Sequence, residues 1–208
     1  MGNFFNSRIF DGISKLADVM LLSFYFLVCS IPVFTMGASG TALYYATHKC
    51  VYKGRGYTTE FFHSFKANFK QSTLSWLIFM VLFALLSGDI YIIKNLLPAD
   101  SPLAAAPIFF MVLFMFAFAW AIYHFAYIAR FENGFKASFK ISGVFMVANI
   151  GWTAVIIVEL IAVFLLVYRF IFLLIFAPGI VACIIHPVLE HVFKKYMSPE
   201  DLTQENEF

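Results

Sequence analysis

Charged residues are scarce in this 208-residue sequence, at 12%, whereas 62% of its residues are hydrophobic. A soluble domain carries about 25% charged residues and about 45–50% apolar ones. A soluble fold of this length could not hide so much apolar surface, because much of any small domain faces water. A bilayer removes that limit, since each helical crossing needs about 20 apolar residues. The composition therefore predicts an all-α transmembrane helix bundle.

The sequence also lacks the motifs that carry catalysis or ligand binding. Its three cysteines form no CxxC pair and predict small buried residues rather than a disulfide framework. Residues 186–191 read HxxxEH instead of HExxH and include Pro187, so they do not predict a zinc helix. There is no glycine-rich phosphate loop and no GxSxG, and the net charge of +2 does not favour nucleic acid. We therefore expect a protein that is not an enzyme and needs no metal or cofactor.

Six apolar segments follow one another along the chain. They cover Leu16–Phe34, Ala38–Tyr52, Ser72–Leu96, Leu103–Ala129, Ser142–Leu165 and Phe170–Tyr196. The second segment decides the topology, because its 15 residues are marginal for a crossing. If it crosses, 12 Lys and Arg residues lie on the side of the membrane that holds both termini and 2 lie on the other side. If it does not cross, the two sides hold 10 and 4 of these residues. The positive-inside rule thus favours six spans with both termini cytoplasmic.

We interpret residues 1–197 as one transmembrane domain and the acidic, polar residues 198–208 as a disordered cytoplasmic tail. The first apolar segment has Ile31-Pro32 near its end instead of a cleavage site of small residues, so we expect it to remain in the protein. Pro178-Gly179 and Pro187 predict kinks in the last span.

A short repeat precedes two of the spans. FKANFK at residues 65–70 recurs as FKASFK at residues 135–140, 70 positions later, and predicts a parallel repeat of span, elbow and span. In both copies phenylalanines fall on one helix face and lysines on the other, as in helices that lie in the membrane interface. We call these segments the first and second elbow; they either anchor the bundle or dock a cytoplasmic partner or a neighbouring permease. The elbow residues are Phe65, Lys66, Asn68, Phe69, Lys70 and Gln71, and Arg130, Glu132, Phe135, Lys136, Phe139 and Lys140.

Small residues are densest at positions 35–42, TMGASGTA. Small residues let membrane helices approach closely, so this run predicts tight helix packing. A helix N-terminus that offers backbone donors to a ligand is the alternative. The expected packing residues are Pro32, Thr35, Gly37, Gly40, Thr41 and Tyr44.

Ionisable residues inside the predicted spans are costly and therefore candidates for function. Glu159 lies in AVIIVELIAVF, Asp89 in LLSGDIYII and His124 in WAIYHFAYIAR. They predict a substrate or ion path if they line one cavity. The structural alternatives are a partner for Glu159, such as Arg169, and a hydrogen-bonded core position for His124.

Three stretches resemble the YesL-like integral membrane proteins, a bacterial family of unknown function. They are SIPVFTMGASGTALYY at residues 30–45, SFKANFKQST at residues 64–73 and ARFEN at residues 129–133, and the resemblance covers most of residues 3–160. It implies a small multi-pass protein of a bacterial plasma membrane. Genes of that family often neighbour carbohydrate transporters and glycan-degrading enzymes, and the family brings no established binding residues.

Two functions are consistent with these observations. The first is a non-enzymatic accessory or regulatory component of ABC-type sugar uptake, with the lipid bilayer and a transporter permease or other membrane subunit as partners. The alternative is an independent small-solute or ion transporter or channel, with Glu159 and Asp89 in a polar path.

Overall fold

The structure is a computed structural model that describes residues 2–52, 57–96 and 105–197, with side chains described for residues 16–49, 58–95 and 105–197. The expected loops around residues 53–56 and 97–104 and the acidic tail at 198–208 lie outside the described residues. The described residues form helices and no strand, which confirms the all-α class. Seven α-helices are described: α1 Gly2–Cys29, α2 Met36–Ala46, α3 Tyr57–Leu96, α4 Ala106–Arg130, α5 Phe135–Ala148, α6 Ile150–Arg169 and α7 Ala177–Lys194.

Three of these helices are long and apolar enough to cross a bilayer. They are Thr58–Asn95 within α3, Ala106–Arg130 and Ile150–Arg169, while Leu16–Cys29 is a shorter apolar stretch. The 20 residues of α6 rise about 30 Å, which equals the hydrocarbon thickness. The chain is therefore a polytopic membrane protein, and the count of six crossings stays a prediction.

Helix α2 occupies the interior, and eight of its eleven residues are buried. α1 ends at Cys29, before Pro32, and Thr35 Oγ1 donates hydrogen bonds to the carbonyl oxygens of Cys29 and Pro32 at 2.5 and 2.6 Å. A 3-10 turn at Val33–Thr35 then leads into α2, which continues as a π-helix at Thr47–Tyr52. With that extension the element rises about 25 Å. The burial of most α2 side chains shows that neighbouring helices surround α2.

The first elbow is not a separate helix, which corrects the prediction. α3 runs unbroken for 40 residues from Tyr57, through the elbow and the third span. Nothing in its sequence stops a helix, because it has no proline and Gly88 is its one glycine. Phe61 is fully buried and Phe65 half-buried, so this face of the elbow packs on the bundle. Its location in the membrane interface stays a prediction.

The fifth span is split, contrary to the expectation of one helix over Ser142–Leu165. Asn149 leaves the helical region, with φ −121° and ψ 47°, and separates α5 from α6. Its side-chain amide donates to the Phe145 carbonyl at 2.9 Å, and Thr153 Oγ1 donates to the Met146 carbonyl at 2.8 Å. Polar side chains thus take over backbone acceptors at the break.

The last span also begins later than predicted. A 3-10 turn at Ile171–Ile175 precedes α7, and Pro178 lies in the first turn of that helix, where proline is favoured and causes no kink. Pro187 does lie inside α7.

Candidate functional site

A buried polar cluster lies where α2 and its π-helical extension, α4 and α7 meet. It consists of Tyr44, His48, Arg130, His186 and Glu190, and we call it the polar cluster. Tyr44, His48, His186 and Glu190 are each at most 6% exposed, and the side chain of Arg130 is 12% exposed. Such a group inside an apolar bundle is costly unless its members satisfy one another.

Helical spacing brings the five side chains together. His186 and Glu190 are four residues apart on α7. Tyr44 on α2 and His48 on its π-helical extension are also four residues apart. Residues at that spacing lie on one face of a helix, so two such pairs face each other across the α2–α7 contact. Arg130 is the last residue of α4 and reaches the cluster from that end.

Glu190 is the centre of the cluster. Arg130 Nη2 donates to its Oε2 at 3.0 Å, and Arg130 Nε lies 2.8 Å from its Oε1. Tyr44 Oη donates to the same Oε1 at 2.9 Å. The Nη2 contact is a charge-assisted hydrogen bond, whereas the Nε contact is an ion-pair distance without hydrogen-bond geometry. Together these contacts compensate the buried negative charge and fix the direction of the carboxylate.

The two histidines lie on the other side of Glu190. His48 Nδ1 and His186 Nε2 share a hydrogen bond of 2.8 Å, so one ring donates and the other accepts. The same nitrogens lie 3.7 and 3.8 Å from Glu190 Oε1, beyond hydrogen-bond length. Among the residues with described side chains, these three form a group whose donor atoms, all within 4.8 Å of one another, could hold a metal ion.

His124 occupies a second, separate polar position. Its Nε2 hydrogen-bonds Ser75 Oγ at 2.8 Å, and its Nδ1 hydrogen-bonds Ser142 Oγ at 3.1 Å. The ring is fully buried and lies 4.1 Å from the Phe139 ring centroid. This arrangement links α3, α4 and α5 and matches the structural alternative for this residue.

The three candidates for a substrate or ion path lie in different surroundings. Glu159 is half-buried on α6, beside a crevice formed with α7 that is too narrow for a water molecule. Its Oε2 is buried and has no hydrogen-bond partner among the described residues. Arg169 is exposed, over the ring of Phe170, and no ion pair with Glu159 is described. Asp89 lies on α3, 14 residues or about 21 Å beyond the His124 partner Ser75.

The predicted packing residues divide into several roles. An ideal Cβ on Gly37 would lie 2.6 Å from Trp76 Cβ, and Thr41 Oγ1 hydrogen-bonds Ser72 Oγ at 2.9 Å, so both lie at the α2–α3 contact. Gly40 has open space around it, Pro32 is exposed, and Thr35 caps α1. Tyr44 belongs to the polar cluster.

The two elbows contact each other. Gln71 Nε2 donates to the Asn133 carbonyl and to Ser138 Oγ, both at 3.1 Å. Phe135 and Phe139 are half-buried, whereas the lysines point outward. The exposed members of the two elbows are Lys66, Phe69, Lys70, Glu132, Lys136 and Lys140. Arg130 departs from this pattern, because it belongs to the polar cluster.

Sequence reasoning missed the polar cluster as a site. His48 was not singled out, and the histidine and glutamate of α7 were set aside because their spacing is not that of a zinc helix. The usable signal was the pair of i,i+4 spacings, Tyr44 with His48 and His186 with Glu190, in otherwise apolar helices. Neither pair reveals by itself that the other lies opposite.

Residues 19–90 match the family described as "Protein of unknown function, DUF624". The match begins in α1, includes α2 and ends within α3, and it contains Tyr44 and His48 but not the other members of the polar cluster. The YesL-like resemblance drawn from the sequence agrees with this family. No curated protein and no solved structure matches the chain.

Proposed function

We propose that this protein is a non-enzymatic accessory or regulatory membrane subunit that acts by binding another transport protein in the bilayer. The observation that supports this most is the surface of α6. Of its 20 residues only Thr153 and Ile156 are buried, and large side chains such as Val158 and Phe164 are 65% and 68% exposed. Exposed apolar side chains alone would suit lipid equally well.

Glu159 favours a protein partner over lipid on this helix. It is the one acidic residue of α6, and part of its carboxyl group is buried without a described hydrogen-bond partner. An uncompensated carboxyl group within hydrocarbon is costly, whereas a polar side chain on a neighbouring transmembrane helix compensates it. Because Glu159 is only partly buried, a membrane subunit packed on α6 would cover the apolar face and contact the exposed part of this side chain.

The link to carbohydrate uptake rests on what the YesL-like resemblance implies, and we accordingly propose an ABC-type sugar permease as the partner. The alternative, an independent transporter or channel, has less support. A conducting path needs polar groups along a hydrated cavity. Glu159, Asp89 and His124 lie in different surroundings, and the crevice at Glu159 does not admit water.

Site-specific photo-crosslinking tests this proposal. A photoreactive amino acid would replace Val158 or Phe164 on α6, with matched controls at Val81 and Leu85 on α3, which are 61% and 63% exposed. We expect the α6 positions to yield adducts with a sugar-permease subunit, identified by mass spectrometry, and the α3 positions to yield lipid adducts. Lipid adducts at all four positions would overturn the proposal. Solute flux by the purified protein in proteoliposomes, abolished in Glu159→Gln, would favour the transporter instead.

A further inference from the structure

We propose that His48, His186 and Glu190 form a binding site for a divalent transition-metal ion of the zinc class. The proposal is independent of the accessory role, because the polar cluster involves α2, α4 and α7 rather than the outer face of α6. It rests on the donor set, on the distances between the three donor atoms and on their burial.

The donor set selects the class of ion. Two imidazole nitrogens and one carboxylate oxygen suit zinc, cobalt and related divalent ions, whereas magnesium and calcium prefer oxygen ligands alone. No thiol belongs to the group, so a purely thiophilic ion such as Cu(I) is disfavoured.

The distances fit one shared ion. Two ligand atoms on a tetrahedral zinc, each about 2.0–2.1 Å from it, lie about 3.3 Å apart. The three separations here are 2.8 Å between the imidazole nitrogens and 3.7 and 3.8 Å from each nitrogen to Glu190 Oε1. A point equidistant from atoms with these separations lies about 2.0 Å from each, within the range of zinc–nitrogen and zinc–oxygen bonds.

The surroundings would orient the ligands. Tyr44 Oη donates to the ligating oxygen Oε1, and Arg130 Nη2 holds the other oxygen, so the carboxylate direction is set by residues outside the donor group. Coordination needs a lone pair on both ring nitrogens, and the ring that now donates the shared hydrogen bond must therefore shift its proton to its other nitrogen. Three protein ligands leave the fourth position to water.

The positive charge of Arg130 should lower the affinity of this site for a metal ion. This charge lies next to Glu190 and would repel a bound cation across a buried environment. The wild-type site should therefore bind more weakly than one with an uncompensated carboxylate, and removal of the guanidinium should tighten binding. Tighter metal binding after removal of the guanidinium would distinguish a metal site from a cluster whose role is to stabilise the packing of three helices.

The test uses the full chain, purified without a histidine tag, treated with a chelator and titrated with Co²⁺ and then Zn²⁺. We expect one ion per chain, the visible absorption of four-coordinate Co²⁺, and a higher apparent unfolding temperature when Zn²⁺ is added. His48→Gln, His186→Gln and Glu190→Gln should each weaken binding at least about 100-fold, more than the 10–100-fold typical of outer residues. His191→Gln is the matched control, because it neighbours Glu190 but is exposed and packs on Trp152.

Arg130→Gln gives the decisive second measurement. For a metal site it should bind Co²⁺ about 10-fold more tightly than wild type, because loss of the neighbouring positive charge outweighs loss of one hydrogen bond to the carboxylate. Zn²⁺ should also raise the unfolding temperature of this variant. If the cluster had a structural role alone, the wild-type protein would show neither the Co²⁺ absorption nor a higher unfolding temperature with Zn²⁺. Zn²⁺ would also leave the unfolding temperature of Arg130→Gln unchanged. That pattern would overturn the proposal without requiring the ligand variants to fold.

Discussion

Gly37 and Gly40 offer a sharp test of how α2 packs, because two neighbouring glycines of one helix have opposite surroundings. A Cβ on Gly37 would lie 2.6 Å from Trp76 Cβ, 2.7 Å from the Ser72 carbonyl oxygen and 2.9 Å from Phe125 Cε1. A Cβ on Gly40 would meet nothing within 4 Å. Both positions gain helix propensity when alanine replaces glycine, by about 1 kcal/mol.

The difference between the two substitutions follows from these distances. Carbon atoms in contact prefer a separation of about 3.5–4.0 Å, so Gly37→Ala requires α2 and α3 to move apart by about 1 Å. Two of the obstructing atoms belong to or adjoin the α3 backbone and cannot rotate away. Overpacking costs about 1–3 kcal/mol, and about 2–3 kcal/mol is expected here because the obstructing backbone must shift. That cost exceeds the propensity gain of about 1 kcal/mol. Gly37→Ala should therefore destabilise by about 1–2 kcal/mol, whereas Gly40→Ala should be neutral or stabilise.

The measurement is the fraction of detergent-solubilised protein that stays monodisperse after heating, read by size-exclusion chromatography. At about 2–4 °C per kcal/mol for a chain of this size, Gly37→Ala should lower the apparent midpoint by about 2–8 °C relative to wild type. Gly40→Ala should match or exceed wild type. Equal stability of the two variants, or a Gly37→Ala protein more stable than wild type, would refute the close α2–α3 approach.

Three further substitutions test other contacts by the same heating assay. Glu190→Gln should lower stability by about 3 kcal/mol, because it removes the charge of the carboxylate that pairs with the largely buried guanidinium of Arg130. An unchanged midpoint would show that the two groups are not paired. His124→Leu should lower the free energy of unfolding by about 1–3 kcal/mol, because Ser75 and Ser142 lose the buried histidine to which both are hydrogen-bonded. A variant more stable than wild type would contradict those hydrogen bonds. Glu159→Leu should stabilise the isolated protein by about 1 kcal/mol, because it removes a partly buried carboxyl group without a described hydrogen-bond partner. In membranes the same substitution should weaken crosslinking to a partner subunit. A loss of stability would mean that the carboxyl group forms a hydrogen bond within the chain.

Helix boundaries show where sequence patterns were sufficient and where they were not. The first helix ends at Cys29, before the predicted Phe34, because Pro32 and the residue before it disfavour helical geometry. The first elbow could not be separated from the third span by hydrophobicity, because a change in polarity along a helix does not break its backbone hydrogen bonds. The break at Asn149 depends on side-chain hydrogen bonds to Phe145 and from Thr153, which the apolar pattern does not reveal.

The repeat gives a partial exception, because a sequence pattern there anticipated a tertiary relation. Ser72 and Ser142 are 70 positions apart, and each hydrogen-bonds a residue of the helix before its own elbow: Thr41 of α2 and His124 of α4 respectively. The two copies nevertheless diverge further along. Position 79 is a buried phenylalanine inside α3, whereas its counterpart, Asn149, ends α5. The equivalent serines thus both form a hydrogen bond with the preceding helix, whereas the helices that contain them, α3 and α5, differ in length.

The sequence by itself determined that this protein is helical and embedded in a membrane, because composition and the length of apolar runs are properties of each segment alone. It also located the small residues that let α2 approach α3. Only the tertiary structure decided that Tyr44, His48, Arg130, His186 and Glu190 share one buried site, since they come from three helices up to 146 residues apart. Their mutual compensation depends on distances of about 3 Å between atoms, which helix packing sets and which local spacing cannot specify.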